Sequence, residues 1–384
     1  MSVTAAQGFL ASGVHCGIRR SRTDLAVVRS TVPATGAALF TANRVQAAPV
    51  VVSKRHLELA EPQAVVVNSG NANAATGAQG EADALATVAR AAELLGLEPA
   101  EILVLSTGVI GVPLPVANIL HCLGAAVGAL SPDGGPEAAQ AILTTDTTAK
   151  EAVAQRDGFV VGGMAKGSGM IHPNLATMLA VVTTDYPLEP GEALDLLRPA
   201  VEESFNSISV DGECSTNDTV VLLANGASGA QRDDDAFRSA LHDVCGKLAA
   251  QIVADGEGAT VVAEIVVSGA ASPAEAKAIA RRIATSPLVK TALHGRDANW
   301  GRVLAAAGSA PYNGGYAQLD PARATLDFDG VRVLDHGAPQ GVEPALAGET
   351  VTIELELGLG AGTASYLTSD LSSEYVRINA DYRS

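Results

Sequence analysis

Long aliphatic runs, rich in β-branched residues and most of them continuous rather than alternating, constrain this chain more than any other feature. They recur as AVVVNS (64–69), EILVLST (101–107), GFVVGGM (158–164), TMLAVVTTD (177–185), TVVLLANG (219–226), ATVVAEIVVSGA (259–270) and VTIELELG (351–358). A strand with one wet face alternates apolar and polar residues, so unbroken runs call for strands covered on both faces. Helical patterns lie between them. Residues 81–95 begin with acidic residues and stop at Gly96, as helix dipole and C-cap chemistry favour. Residues 234–253 place Phe237, Leu241, Val244, Leu248 and Ile252 at helical spacing. Residues 272–284 carry Ser272 at an N-cap position and Pro273 at N1, and LEPGEALDLL (188–197) opens another helix. SPDGGPEA (131–138) reads as a turn-rich surface loop. The expected class is a mixed α/β sandwich.

A chain of 384 residues exceeds what one ordinary core organises, so two subdomains or one large multilayered domain are expected. Aromatics make up only 3% of it against 47% hydrophobic residues overall, so small aliphatic side chains must fill the interior. The net charge of −17 argues against a nucleic-acid surface or an anionic membrane, both of which demand clustered Lys and Arg. Cys16, Cys122, Cys214 and Cys245 form no CxxC pair, so neither a zinc site nor a disulfide framework is indicated, and a reduced cytoplasmic setting follows. The first twenty residues lack a basic segment followed by a long apolar run, and no uncharged apolar stretch reaches the roughly 18 residues of a spanning helix. A soluble, unexported protein is expected.

The stretch KGSGMIHPNLATML (166–179) sets a glycine-rich, lysine-bearing loop directly against a buried strand, with Thr177 at the junction. A threonine hydroxyl is a weak nucleophile, and one way to activate it is to make its own α-amine the general base. That requires Thr177 to become an N-terminus, which happens if its hydroxyl attacks the Ala176 carbonyl and water cleaves the resulting ester. A small Ala176, a flexible approach and a rigid strand downstream suit such self-cleavage. β-Branching alone also accounts for a threonine at a strand head.

Other stretches bear on the choice. In STGVIG (106–111) the Thr107 hydroxyl and the Gly108 amide lie at a strand end where both could address one oxygen, an oxyanion hole; a glycine-rich strand-to-helix turn is the plainer alternative. Lys166 suits a carboxylate or tunes a neighbouring pKa. TTDTTAK (144–150) offers short polar groups after a helical segment, and DGECSTNDTV (211–220) is a polar loop before a buried strand. Ser168 with His172 lacks the GxSxG elbow of a serine hydrolase, and GSGMIHP lacks the βαβ frame of a dinucleotide site.

Taken together, KGSGMIHPNLATMLAVVTTD closely resembles the autocleavage segment of the ornithine acetyltransferase family, also called glutamate N-acetyltransferase. VVVNSGNANAATG (65–77), STGVIG, TTDT (144–147), STNDTV (215–220), DGEGAT (255–260), GRDANWGR (295–302) and VRINADYRS (376–384) look like family motifs in family order across nearly the whole chain. The family usually has Met at Leu175, Cys at Ala75 and Thr at the terminal Ser384.

The resemblance implies the fold shared with self-processing aminopeptidases, an α chain of residues 1–176 and a β chain of 177–384 joined as an α₂β₂ heterotetramer. It implies cleavage between Ala176 and Thr177, Thr177 as acyl-accepting nucleophile, and Thr107 with Gly108 as oxyanion hole. Thr147, Lys166, Glu257, Asn379 and Ser384 would surround the substrate, with the choice among the TTDT hydroxyls open. The implied reaction moves acetyl from N²-acetyl-L-ornithine to L-glutamate in arginine synthesis, with no metal or organic cofactor. Whether acetyl-CoA is a second acyl donor stays open, as do a self-processing aminopeptidase or amidase, a paralogue of a secondary pathway, and a non-catalytic relative.

Overall fold

The continuous aliphatic runs of the first unit become strands with both faces covered, as their lack of alternation requires. The computed structural model describes residues 2–172 and 178–381. The chain forms two units, one of residues up to Asn206 together with Glu213–Ile252, the other of Ser207–Gly212 and Val253–Tyr382.

The first unit holds two sheets. In one, β1 (Phe9–Val14), β2 (Leu25–Ser30), β4 (Ala64–Asn71) and β5 (Ile102–Val109) lie in that order, with β4 and β5 parallel and the other pairs antiparallel. In the other, β3 (Thr35–Phe40), β10 (Thr219–Ala224), β8 (Leu179–Thr184), β7 (Phe159–Lys166) and β6 (Lys150–Arg156) follow one another, with β8 and β10 parallel and the other pairs antiparallel. Val28, Val65, Val67, Leu103 and Leu105 of the first sheet meet Met164, Leu179, Val181, Val221 and Leu223 of the second. The alternate residues Val27, Ala64, Val66 and Val104 face outward against α2 (Gly77–Leu95) and α3 (Val116–Gly128), through Val88, Ala91, Ile119 and Leu123. Successive residues of one strand therefore enter two different cores, so the run carries no polar positions. On the far side, α6 (Asp234–Ala254) lies so close to β7 that a Cβ on Gly163 would come within 3.1 Å of Leu248 and Val244. Helices α1 (Ala48–Leu57), α4 (Gly135–Ala141) and α5 (Ala193–Glu203) complete the unit.

The second unit is built on a seven-stranded sheet in the order β16 (Ala338–Pro339), β15 (Val331–Asp335), β14 (Thr325–Phe328), β17 (Thr350–Glu356), β11 (Val262–Ala270), β18 (Gly362–Ser369) and β9 (Ile208–Ser209). A small hairpin joins β12 (Pro311–Tyr312) to β13 (Gly315–Tyr316). Helices α7 (Pro273–Ala284), α8 (Pro287–His294) and α9 (Trp300–Ala307) set Ile279, Ile283, Leu293 and Val303 against Ile265, Val267, Ile353 and Leu355. In β17 these buried residues alternate with Thr352, Glu354 and Glu356, which are less buried, so this sheet is apolar on one face only. Helix α10 (Ser373–Asp381) follows β18.

Local signals held at the helix ends. Gly96 closes α2 in the left-handed conformation, φ 67°, and the Ser272 hydroxyl accepts from the Glu275 amide at 3.2 Å to cap α7. Helix α2 starts at Gly77 rather than at the acidic residue 81. SPDGGPEA is not simply a surface loop: α4 begins inside it, Gly134 and Gly135 are buried, and a Cβ on Gly134 would lie 1.9 Å from the Ala11 carbonyl oxygen. The expected division after residue 176 follows neither unit boundary, for β7 and β8 on its two sides are hydrogen-bonded neighbours from Lys166↔Leu179 to Val161↔Thr184. Among the described residues no helix is long and apolar enough to cross a membrane.

Candidate active site

Strand β5 carries Thr107 and Gly108 at its end and runs on to Val109 rather than turning into a helix. Gly108 pairs with Gly70 of β4, where the register shifts at Asn71. The two backbones come so near that a Cβ on Gly108 would lie 2.2 Å from the Gly70 carbonyl carbon, and Gly108 itself has φ 136°. Any side chain is excluded twice, by contact and by conformation. Polar bonds fix the approach. The Ser106 hydroxyl donates to Asn68 Oδ1 at 2.5 Å, and Asn68 Nδ2 donates to the Asn71 carbonyl at 2.9 Å. Asn217, from the polar loop before β10, donates to the carbonyls of Ala72 at 2.6 Å and Ser106 at 2.8 Å.

Lys166 ends β7, and its ammonium donates to Thr107 Oγ1 at 3.2 Å with both residues buried. An ammonium is donor only, so the hydroxyl accepts here and its own proton is left to point at another oxygen. The charge on Lys166 faces an acid that sequence reasoning passed over. Asp146 is 1% exposed, and its Oδ1 accepts from Lys150 Nζ at 2.7 Å and from the Gly167 amide at 2.6 Å; its Oδ2 accepts from the Thr144 amide at 2.9 Å. Burial pushes its pKa up, but the charges of Lys166 and Lys150 and the bonds from Lys150 and Thr144 outweigh it and hold the carboxyl well below the usual range. Lys150, Asp146 and Lys166 are thus a buried set with one positive charge in excess, and Lys166 carries that side of the set to Thr107.

The TTDT hydroxyls have different surroundings. Thr144 Oγ1 lies 3.3 Å from Asp146 Oδ2, and Thr145 Oγ1 lies 2.7 Å from the hydroxyl of the buried Ser168. Thr147 is exposed and lines a cavity of about 570 Å³ with Arg22, Glu137 and Gln140.

In the second unit, Asn379 of α10 donates to Glu257 Oε2 at 2.7 Å. The loop bearing Glu257 is held at its far end by the buried Asp370, which accepts from the Thr260 amide at 2.7 Å, the Thr260 hydroxyl at 2.8 Å, the Val261 amide at 3.0 Å and His294 Nδ1 at 2.7 Å. Burial raises the Asp370 pKa, and these bonds more than reverse it. The Ser372 hydroxyl donates to the Gly258 carbonyl at 2.7 Å. Among the residues singled out from the sequence, Lys166 thus bonds Thr107 and Asn379 bonds Glu257. The expected nucleophile Thr177, its neighbour Ala176 and Ser384 lie outside the described residues.

A hydroxyl and a buried ammonium at one strand end are groups of the kind that can stabilise a developing oxyanion, the chemistry of acyl transfer. The ArgJ family model matches residues 10–384. The arginine biosynthesis bifunctional protein ArgJ of Streptomyces coelicolor is 47% identical over 390 residues, spanning 100% of both chains. That of Symbiobacterium thermophilum is 45% identical over 399 residues, 99% of this chain and 98% of the relative. The crystal structure of ornithine acetyltransferase complexed with ornithine from Mycobacterium tuberculosis is 40% identical, covers 45% of this chain and 94% of its own, and aligns with a TM-score of 0.44.

Proposed function

The chain belongs to the ArgJ family, and from that premise we propose that it transfers the acetyl group of N²-acetyl-L-ornithine to L-glutamate, giving L-ornithine and N-acetyl-L-glutamate for arginine synthesis. The observation that carries this reading is the likeness to arginine biosynthesis bifunctional proteins along the full length of both chains. The second activity that "bifunctional" denotes is taken to be acetylation of glutamate by acetyl-CoA.

The chemistry proceeds in two halves. The chain divides between Ala176 and Thr177, which frees the Thr177 amine. That amine takes the proton of the Thr177 hydroxyl as the oxygen attacks the acetyl carbonyl. Thr107 and Gly108 hold the negative oxygen, each such donor contributing about 3 kcal/mol at the transition state. The tetrahedral centre collapses, the C–N bond breaks, and ornithine leaves with the proton returned to its amine. An acetyl ester remains on Thr177. The amine of glutamate then attacks the ester, and the threonine oxygen is expelled and reprotonated. Lys166 suits the α-carboxylate common to both amino acids, and Glu257, steadied by Asn379, suits the side-chain ammonium of ornithine. Thr147 and Ser384 are the further substrate-binding residues of this reading. The fragments 1–176 and 177–384 assemble as an α₂β₂ heterotetramer in the cytoplasm.

Purified protein given N²-acetyl-L-ornithine should release ornithine in step with N-acetyl-L-glutamate only when L-glutamate is present. Equal ornithine release without glutamate would make the protein a hydrolase. Mass spectrometry should find two fragments meeting at Ala176 and Thr177, and Thr177→Ala should give one intact chain and no transfer.

A further inference from the structure

Asp146 has no part in the two half-reactions, yet it is the most thoroughly bonded acid of the first unit's polar cluster. It bonds the buried Lys150 and the amide of Gly167, the residue that follows the buried Lys166. A carboxylate taken out of water costs several kcal/mol unless its partners return that energy. Four of its bonds come from three residues: Lys150 Nζ, the Gly167 amide, and the Thr144 amide and hydroxyl. Gly167 is the first residue of the loop after β7, so this bond pins the start of the segment that leads to Ala176 and Thr177. Next to it, Ser168 is tied to Thr145 on the other side of the same acid.

From this juxtaposition we propose that Asp146 is a positioning residue with two tasks. It seats the Lys166 ammonium against Thr107, and it anchors the loop 167–172 so that the bond between Ala176 and Thr177 is presented for self-cleavage. Lys150 shares the carboxylate and so sets how much of its charge Lys166 feels. This rests on the proposed function for the roles of Lys166 and Thr177, but the bonds themselves do not.

The charged groups concerned are Lys150 and Lys166 on the Asp146 carboxylate, with Arg19 donating to the carbonyls of Leu143 and Thr144; Arg19 is untouched in both variants below. Asp146→Asn keeps the size and removes the charge. Freshly expressed full-length D146N should divide at least about tenfold more slowly than the unsubstituted chain, followed by denaturing electrophoresis. In its processed fraction, the alkaline limb of kcat/KM for acetyl transfer should move down by about one pH unit, because an ammonium without its carboxylate loses its proton more readily. Lys150→Met removes the competing ammonium from the carboxylate, and the same limb should move up.

A folded D146N with the unsubstituted cleavage rate and alkaline limb overturns the proposal while leaving the function intact. If D146N does not fold, K150M decides: a limb that stays or falls overturns it. If the unsubstituted protein transfers no acetyl, the proposed function fails, and the cleavage rates of D146N and K150M against it still test the anchoring role, equal rates overturning it.

Discussion

At the residue scale, Thr107 and Gly108 separate what a hydroxyl does from what a backbone does. Thr107 accepts a bond from Lys166 and sits on a strand end braced by Asn68 and Asn217, so replacing its hydroxyl with a methyl leaves the backbone where it is. Thr107→Val should lower kcat for transfer about 10²- to 10³-fold, the loss seen when one oxyanion donor is removed. KM for N²-acetyl-L-ornithine should change little, because the bond is made to the negative oxygen of the transition state and not to the ground-state substrate. Gly108→Ala differs in kind: its Cβ meets the Gly70 backbone at 2.2 Å, so the β4 and β5 ends must part. That variant should lose activity and also melt several degrees lower, whereas T107V melts within a few degrees of the unsubstituted protein. Equal kcat for T107V and the unsubstituted protein would remove Thr107 from the chemistry.

At the scale of elements, the contact of α8 with β18 holds a buried base. Lys290 is 3% exposed and its ammonium donates to Thr368 Oγ1 at 2.8 Å and to the Ser369 carbonyl. Burial pushes its pKa down to about 8, partly opposed by Asp370 and Asp211. Below that pH the fold carries the cost of a buried charge. As pH rises past it the folded ammonium loses its proton while the unfolded one keeps it up to the ordinary lysine range, so stability from this group grows with pH. Against Lys290→Met, the unfolding free energy of the unsubstituted protein should therefore gain about 2 kcal/mol between about pH 7 and 9.5 in denaturant titrations; a constant difference would show that the ammonium is not strained. Elements were legible wherever one physical cause dominated. Val65, Val66 and Val67 read as a strand because two cores share them, and Ser272 with Pro273 read as a helix start because capping is local. Helix α4 was legible as the helical segment before TTDTTAK, but its start inside SPDGGPEA was not, because Gly135 and Pro136 read as turn residues. Asp146 was hidden for a different reason: between threonines it reads as a turn residue, and its partners Lys166 and Gly167 reach it only through the pairing of β6 with β7. Glu257 and Asn379 came from likeness to family motifs, since a carboxylate and an amide so far apart in sequence carry no local sign of their bond.

For the whole molecule, the division proposed between Ala176 and Thr177 cuts through a sheet and not between units. Strands β3, β6 and β7 would belong to the first fragment and β8 and β10 to the second, yet all five form one sheet. The pairing of β7 with β8 and of β3 with β10 crosses the division, and the core between the sheets mixes Val65, Leu103 and Met164 from one fragment with Leu179, Val181 and Val221 from the other. A backbone break removes none of these contacts. It releases chain ends, and each buried aliphatic side chain still contributes about 1.5–3 kcal/mol. The processed fragments should therefore coelute in native size-exclusion chromatography at any salt concentration that leaves the fold intact, because burial and backbone bonds, not screened surface charge, hold them. They should separate only once guanidinium has unfolded the sheet, with one transition for both fragments. Elution of either fragment alone under native conditions would mean that the break does not lie between β7 and β8.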